Sequence, residues 1–203
     1  MIYKLARILS AVFSPLLVPT YGMALALWLS VLAIIPPSLK WGLTGVVFII
    51  TAGIPAVGIM TMLRTGQVSD AGLNNRTERT VPYIIVTVCY FISALFLQRA
   101  GLPMWIPLFF AGAGVASVVS IIINRWWKIS AHAAAMGGLV AMLFRMVALG
   151  QNIYAMEWWI TGAILAAGLV MSARVYMKRH TLGQVLAGAA NGVICVWLIS
   201  GIS

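Results

Sequence analysis

Long apolar runs, repeated down the chain and separated by short loops, constrain this sequence more than any other feature. A helix needs about 20 apolar residues to cross a bilayer. By that measure spans fall at residues 10–35, 41–63, 82–98, 103–123, 131–149, 155–173 and 184–202. The reading is an all-α, polytopic transmembrane helix bundle of six to seven spans. Pro15 and Pro19 make the first span bent or short, with residues 1–14 partly in the membrane interface. With 63% hydrophobic and 8% charged residues, the 203-residue chain has too little charge to cover a soluble domain. No extended polar linker divides it, so residues 1–203 read as one integral membrane domain. Cys89 and Cys195 lie inside apolar runs and read as small buried hydrophobes.

Alternation across the membrane sorts the charges. The N-terminus and residues 64–81, 124–130 and 174–183 share one side. That side holds Lys4, Arg7, Arg64, Arg76, Arg79, Arg125, Lys128, Arg174, Lys178 and Arg179, which is ten of the 13 Lys and Arg. Lys40 and Arg99 face the other side, and Arg145 falls within the fifth span, with Glu157 a candidate partner. The positive-inside rule points the basic side at the cytoplasm, and a bacterial inner membrane is the expected setting. A formal charge of +10 distributed through short loops between apolar runs points to anionic lipid head groups or an anionic substrate, not nucleic acid.

The chemistry-bearing residues cluster in the three longer basic loops. In the first, Arg76 and Arg79 are three apart and share a helical face, and Pro82 suits the first turn of the next span. In the second, Lys128 and His132 are four apart, and Ser130 is placed to cap the fifth span. In the third, Arg174 and His180 stand either side of five residues, just before the last span. His132 and His180 are the chain's 2 histidines, and each stands where an apolar run begins. Fixed cations, a helix N-terminus and two imidazoles on one side of a membrane suit phosphoryl transfer. The cations stabilise charge on the equatorial oxygens, while the histidines divide the roles of nucleophile and general acid.

These residues resemble the type 2 phosphatidic acid phosphatase superfamily. Its three signatures are a Lys/Arg-Pro stretch, Ser-Gly-His, and Ser-Arg-x5-His-x3-Asp, and their order and membrane side agree over residues 64–190, with a phosphatase-like core at about 64–202. The resemblance implies His180 as the nucleophile that forms a phosphohistidine and His132 as the acid. It implies Arg174, Arg79, Arg76 and Ser130 as substrate ligands, and Gln184 as the residue orienting His180; Lys128, by its charge and its spacing from His132, is read as a further substrate-binding cation. No metal or cofactor is implied; the partner is a lipid phosphate in the membrane.

This chain departs from the pattern at several positions. Ala131 replaces the glycine, Ala173 replaces the serine before Arg174, and Thr80-Val81 separate Arg79 from Pro82. Gln184 stands where the family has aspartate; its amide oxygen can fix the His180 ring but carries no charge. Glu78 is a candidate replacement carboxylate from another loop. The leading expectation is a metal-independent lipid phosphatase acting on a phosphomonoester or diphosphate. The alternative is a non-catalytic relative that binds or transports lipid phosphates, for which Gln184 is the support.

Overall fold

The computed structural model describes residues 1–73 and 75–202. The described residues form the helices α1 (Ile2–Val12), α2 (Val18–Leu29), α3 (Pro37–Phe48), α4 (Ile54–Arg64), α5 (Thr80–Arg99), α6 (Trp105–Ile123), α7 (Ala131–Ala148), α8 (Glu157–Tyr176) and α9 (Leu182–Ile199). A π-helical turn, Ile49–Gly53, joins α3 to α4 in one long rod. Pro55 explains that turn, because a proline lacks the N–H of the α ladder and its ring crowds the carbonyl four residues back. Six helices are long and apolar enough to cross a membrane: Pro37–Arg64, Thr77–Arg99, Trp105–Ile123, Ala131–Ala148, Glu157–Tyr176 and Leu182–Ile199. The all-α bundle expected from the apolar runs is therefore present.

The first expected span, residues 10–35, takes a different form. It is not one helix but two short ones, α1 and α2, broken over residues 13–17. The cause is local: Pro15 and Pro19 each remove a backbone donor, and Pro19 fits only the first turn of a new helix. Irregular backbone inside a bundle needs partners for its carbonyls. Two tyrosines supply them, with Tyr21 donating its hydroxyl to the Val12 carbonyl at 2.9 Å and Tyr90 to the Pro15 carbonyl at 3.1 Å. Tyr90 is halfway along α5, so the break lies deep between the helices. At the far end of α2, Val31 N–H donates to the Gln151 carbonyl and Ile153 N–H to Leu29, tying this segment to the loop after α7.

Helices α7 and α9 pack most closely, because glycines line their seam. A Cβ at Gly137 would collide with the Ala189 carbonyl, and one at Gly192 with the Ala134 carbonyl. Near the loop end a Cβ at Gly188 would stand 2.5 Å from the Ser130 carbonyl, and Ser130 N–H donates to the Gln184 carbonyl at 3.3 Å. The starts of α7 and α9 are thus in backbone contact, which brings the second and third basic loops together. Arg145 lies at the opposite end of α7. It takes the Trp197 carbonyl at 2.6 Å and covers the Trp197 ring rather than pairing with Glu157, which is exposed.

Candidate phosphate site

The Arg174–His180 segment is shaped by the end of α8. Lys178 N–H bonds the Val175 carbonyl and Arg179 N–H the Arg174 carbonyl, the paired pattern of a Schellman turn. The turn needs a left-handed residue, and Lys178 supplies it at φ 54°. The chain then reverses, so His180 comes back beside Arg174 before Thr181 caps α9. Thr181 and Gln184 form a reciprocal capping box. The same Gln184 Oε1 that accepts from Thr181 N–H at 3.2 Å lies 3.1 Å from His180 Nδ1. Since Nδ1–H must donate to that oxygen, Nε2 is left with a free lone pair.

Arg79 enters from the other direction. Its Nε donates to the Leu73 carbonyl at 2.7 Å and its Nη1 to the Ile129 carbonyl at 3.1 Å, so it clamps the first basic loop to the second. Arg79, Arg174 and His180 are only 3%, 8% and 6% exposed. All three line one cavity of about 1210 Å³. Burial, then Arg79 and then Arg174, push the His180 pKa down to about 3; the Gln184 bond acts the other way. Burial foremost, then Arg79, Arg174 and Arg179, also lower the pKa of Lys128, while Asp70 opposes them. A buried group of cations around a neutral imidazole is an electrostatic setting for an anion.

His132 lines the same cavity, and its Nε2 lies 3.1 Å from the Ser10 carbonyl in α1, 122 residues earlier. A carbonyl only accepts, so Nε2 carries the hydrogen and Nδ1 is the nitrogen left for chemistry. Helix α1 also brings Lys4 and Arg7 to the cavity, and Arg179 joins them. From this end the cavity continues between the helices as an apolar channel past Val86 and Tyr90 to Phe109 and Val196. The broken backbone from Ser14 to Leu17 forms part of its wall.

Other sequence candidates are placed differently. Arg76 does not line the cavity; it donates to the Arg125 carbonyl at 3.0 Å, while its own carbonyl accepts from Asn124 at 2.9 Å. Ser130 is buried and its Oγ accepts from Ala133 N–H at 3.4 Å, the cap expected of it. Lys128 is near enough to act on His180 but is not part of the cavity wall. Glu78 is committed to Ser69 and Asn75, so it does not serve His180. Sequence reasoning missed the α1 contribution and Tyr83, one turn after Arg79 and buried on the cavity wall. The spacing Arg79-x3-Tyr83 was the one available signal, since residues four apart share a helix face.

Fold and site together define a class: an all-helical protein with six potential membrane-crossing helices, carrying a buried, histidine-bearing cationic cavity that opens into an apolar channel. Residues 124–203 match the PAP2 superfamily. That stretch carries His132, Arg174 and His180, three of the four cavity residues that the resemblance assigned. A relative, lipid A 1-phosphatase of Helicobacter pylori strain J99, is 35% identical over 71 residues, covering 35% of this chain and 33% of that protein. The match thus spans about a third of the relative's length. No solved structure matches the chain.

Proposed function

We propose that this protein is a membrane lipid phosphatase that hydrolyses a lipid phosphomonoester or diphosphate through a phosphohistidine, without a metal. One observation carries the reading. Arg79, Arg174 and a His180 with its Nε2 lone pair free meet in a buried cavity whose other end is apolar. His180 Nε2 attacks phosphorus as the bond to the leaving oxygen breaks, and His132, protonated on both nitrogens once the anionic substrate is bound, gives that oxygen its Nδ1 proton. Water, losing a proton to His132, then attacks the phosphohistidine; inorganic phosphate leaves and His180 is regenerated. Arg79 and Arg174, with Lys128 behind them, offset the charge on the phosphoryl oxygens. The apolar channel suits the hydrocarbon part of the substrate, and the positive-inside bias supports a cavity on the cytoplasmic side of the membrane.

The test is phosphate release by the purified protein in detergent with chelator, using phosphatidate, phosphatidylglycerol phosphate, a polyprenyl diphosphate and a lipid A phosphate. Release that disappears in His180→Ala is the expected result. Gln184, a neutral amide beside the nucleophile, favours a second reading as a lipid-phosphate binder. Under that reading no substrate is turned over, and His180→Ala keeps most of its affinity for the lipid.

A further inference from the structure

Among the described residues, three buried side-chain donors on the cavity wall have no acceptor: Arg174 Nε, Tyr83 Oη and Ser10 Oγ. Arg174 is explained by the anion it would hold. The two hydroxyls have no such account, although Ser10 is 7% and Tyr83 8% exposed. Buried polar groups are nearly always paired, so an unpaired one needs a reason.

Several helical hydroxyls in this chain, those of Thr51, Thr61, Thr87, Ser120 and Ser200, take the carbonyl four residues back at 2.6–2.9 Å. Thr20, Thr44 and Ser93, away from the cavity, do not. Ser10, inside α1, leaves that partner unused and stands on the cavity wall, on the residue whose carbonyl holds His132. Tyr83 Oη lies beside Arg79 and near Arg174, both of which can only donate, so its own hydrogen has no acceptor. Both of those neighbours are donors, so an acceptor placed among the three groups would satisfy all of them. A phosphoryl group offers several acceptor oxygens at once.

We infer that the Tyr83 and Ser10 hydroxyls are phosphoryl ligands of the cavity. Tyr83 donates to a non-bridging oxygen held by Arg79 and Arg174, and Ser10 to the bridging oxygen that His132 protonates. The assignment rests on the cavity being a phosphate site and adds two residues that neither spacing nor charge had assigned. It also makes α1 part of the site, supplying a hydroxyl to the substrate and a carbonyl to His132.

The experiment uses the full chain in detergent, with inorganic phosphate as the probe in calorimetry, alongside thermal melting and lipid phosphate turnover. Tyr83→Phe and Ser10→Ala each remove a hydroxyl whose hydrogen has no protein acceptor, so melting should change little. Phosphate affinity should fall roughly tenfold or more in each, the loss expected for a hydrogen bond to a charged group. Ser10→Thr, which keeps the hydroxyl, should restore it. In turnover, the Ser10→Ala defect should shrink with an aryl phosphate, whose leaving oxygen needs little help. Wild-type phosphate affinity in both variants, or no phosphate binding by the wild type, overturns the inference. Phosphate binding that depends on Tyr83 and Ser10, with no lipid hydrolysed, leaves the ligand assignment standing and refutes the phosphatase reading.

Discussion

Replacing Gln184 by glutamate isolates the electrostatic contribution of the missing carboxylate. Gln184 Oε1 is 3.1 Å from His180 Nδ1 and 3.2 Å from Thr181 N, and Q184E is nearly isosteric. The capping box survives, because glutamate serves the third helical position as well as glutamine does. The ring tautomer is also kept, so the change is one of charge alone. Unit charges about 4 Å apart interact by about 4 kcal/mol at an effective dielectric of about 20. Gln184 is half-buried, and solvent screening reduces that to about 1.5–3 kcal/mol, or about one to two pH units on His180. The His180 pKa should therefore climb from about 3 by that amount, against the burial and cations that depress it. The same carboxylate stabilises positive charge on the ring as phosphorus is attacked, so kcat should rise roughly tenfold to a hundredfold. Side-chain ¹H–¹⁵N spectra of labelled histidine across pH, with His132→Gln for assignment, read the first quantity; lipid phosphate release reads the second. An unmoved His180 titration would refute the Gln184 contact. A raised pKa with unchanged kcat would refute the charge argument for catalysis.

In the free protein His180 should stay neutral from pH 8 down to about 4. The acid limb of kcat/KM from this group should then lie well below the ordinary histidine value of about 6.5, as pH–rate profiles with a substrate of fixed ionisation would show. The sign for stability follows: the folded value lies below the unfolded one, so this contribution is complete above about pH 6.5 and is lost progressively as pH falls towards 3, read from melting in detergent. Gly192→Ala drives a Cβ into the Ala134 carbonyl and should cost about 1–3 kcal/mol, while parting α7 from α9 and lowering turnover beyond what unfolding explains. Tyr90→Phe orphans the Pro15 carbonyl at the break between α1 and α2 and should lower stability by about 1–3 kcal/mol in denaturation assays. Lys178→Gly relieves a left-handed lysine and should gain up to about 1 kcal/mol in the same assay, with turnover unchanged.

Much of this fold is a one-dimensional property. Apolar length sets whether a helix can cross a membrane, and alternation then sets which loops share a side; both are read by counting along the chain. Hence the all-α bundle, and the grouping of Arg79, His132, Arg174 and His180 at one end, were legible in the residues. Local chemistry was legible too: Ser130 caps α7, Pro82 stands in the first turn of α5, and a glutamine four residues after His180 reaches its ring. The residues that sequence misplaced are those whose partners are distant in the chain. Whether Arg76 or Arg79 faces the cavity depends on which carbonyl each finds, and Arg76 finds that of Arg125 while Arg79 finds those of Leu73 and Ile129. Prolines announce a break near residue 15, but only packing against Tyr90 decides that it lies deep in the bundle and walls the channel. Helix α1 reads as an interfacial segment, and no local signal couples Ser10 to His132. That contact exists because backbone carbonyls and buried hydroxyls are directed by where whole helices settle. Helix placement is set in turn by glycine seams and by the pairing of every polar group away from water.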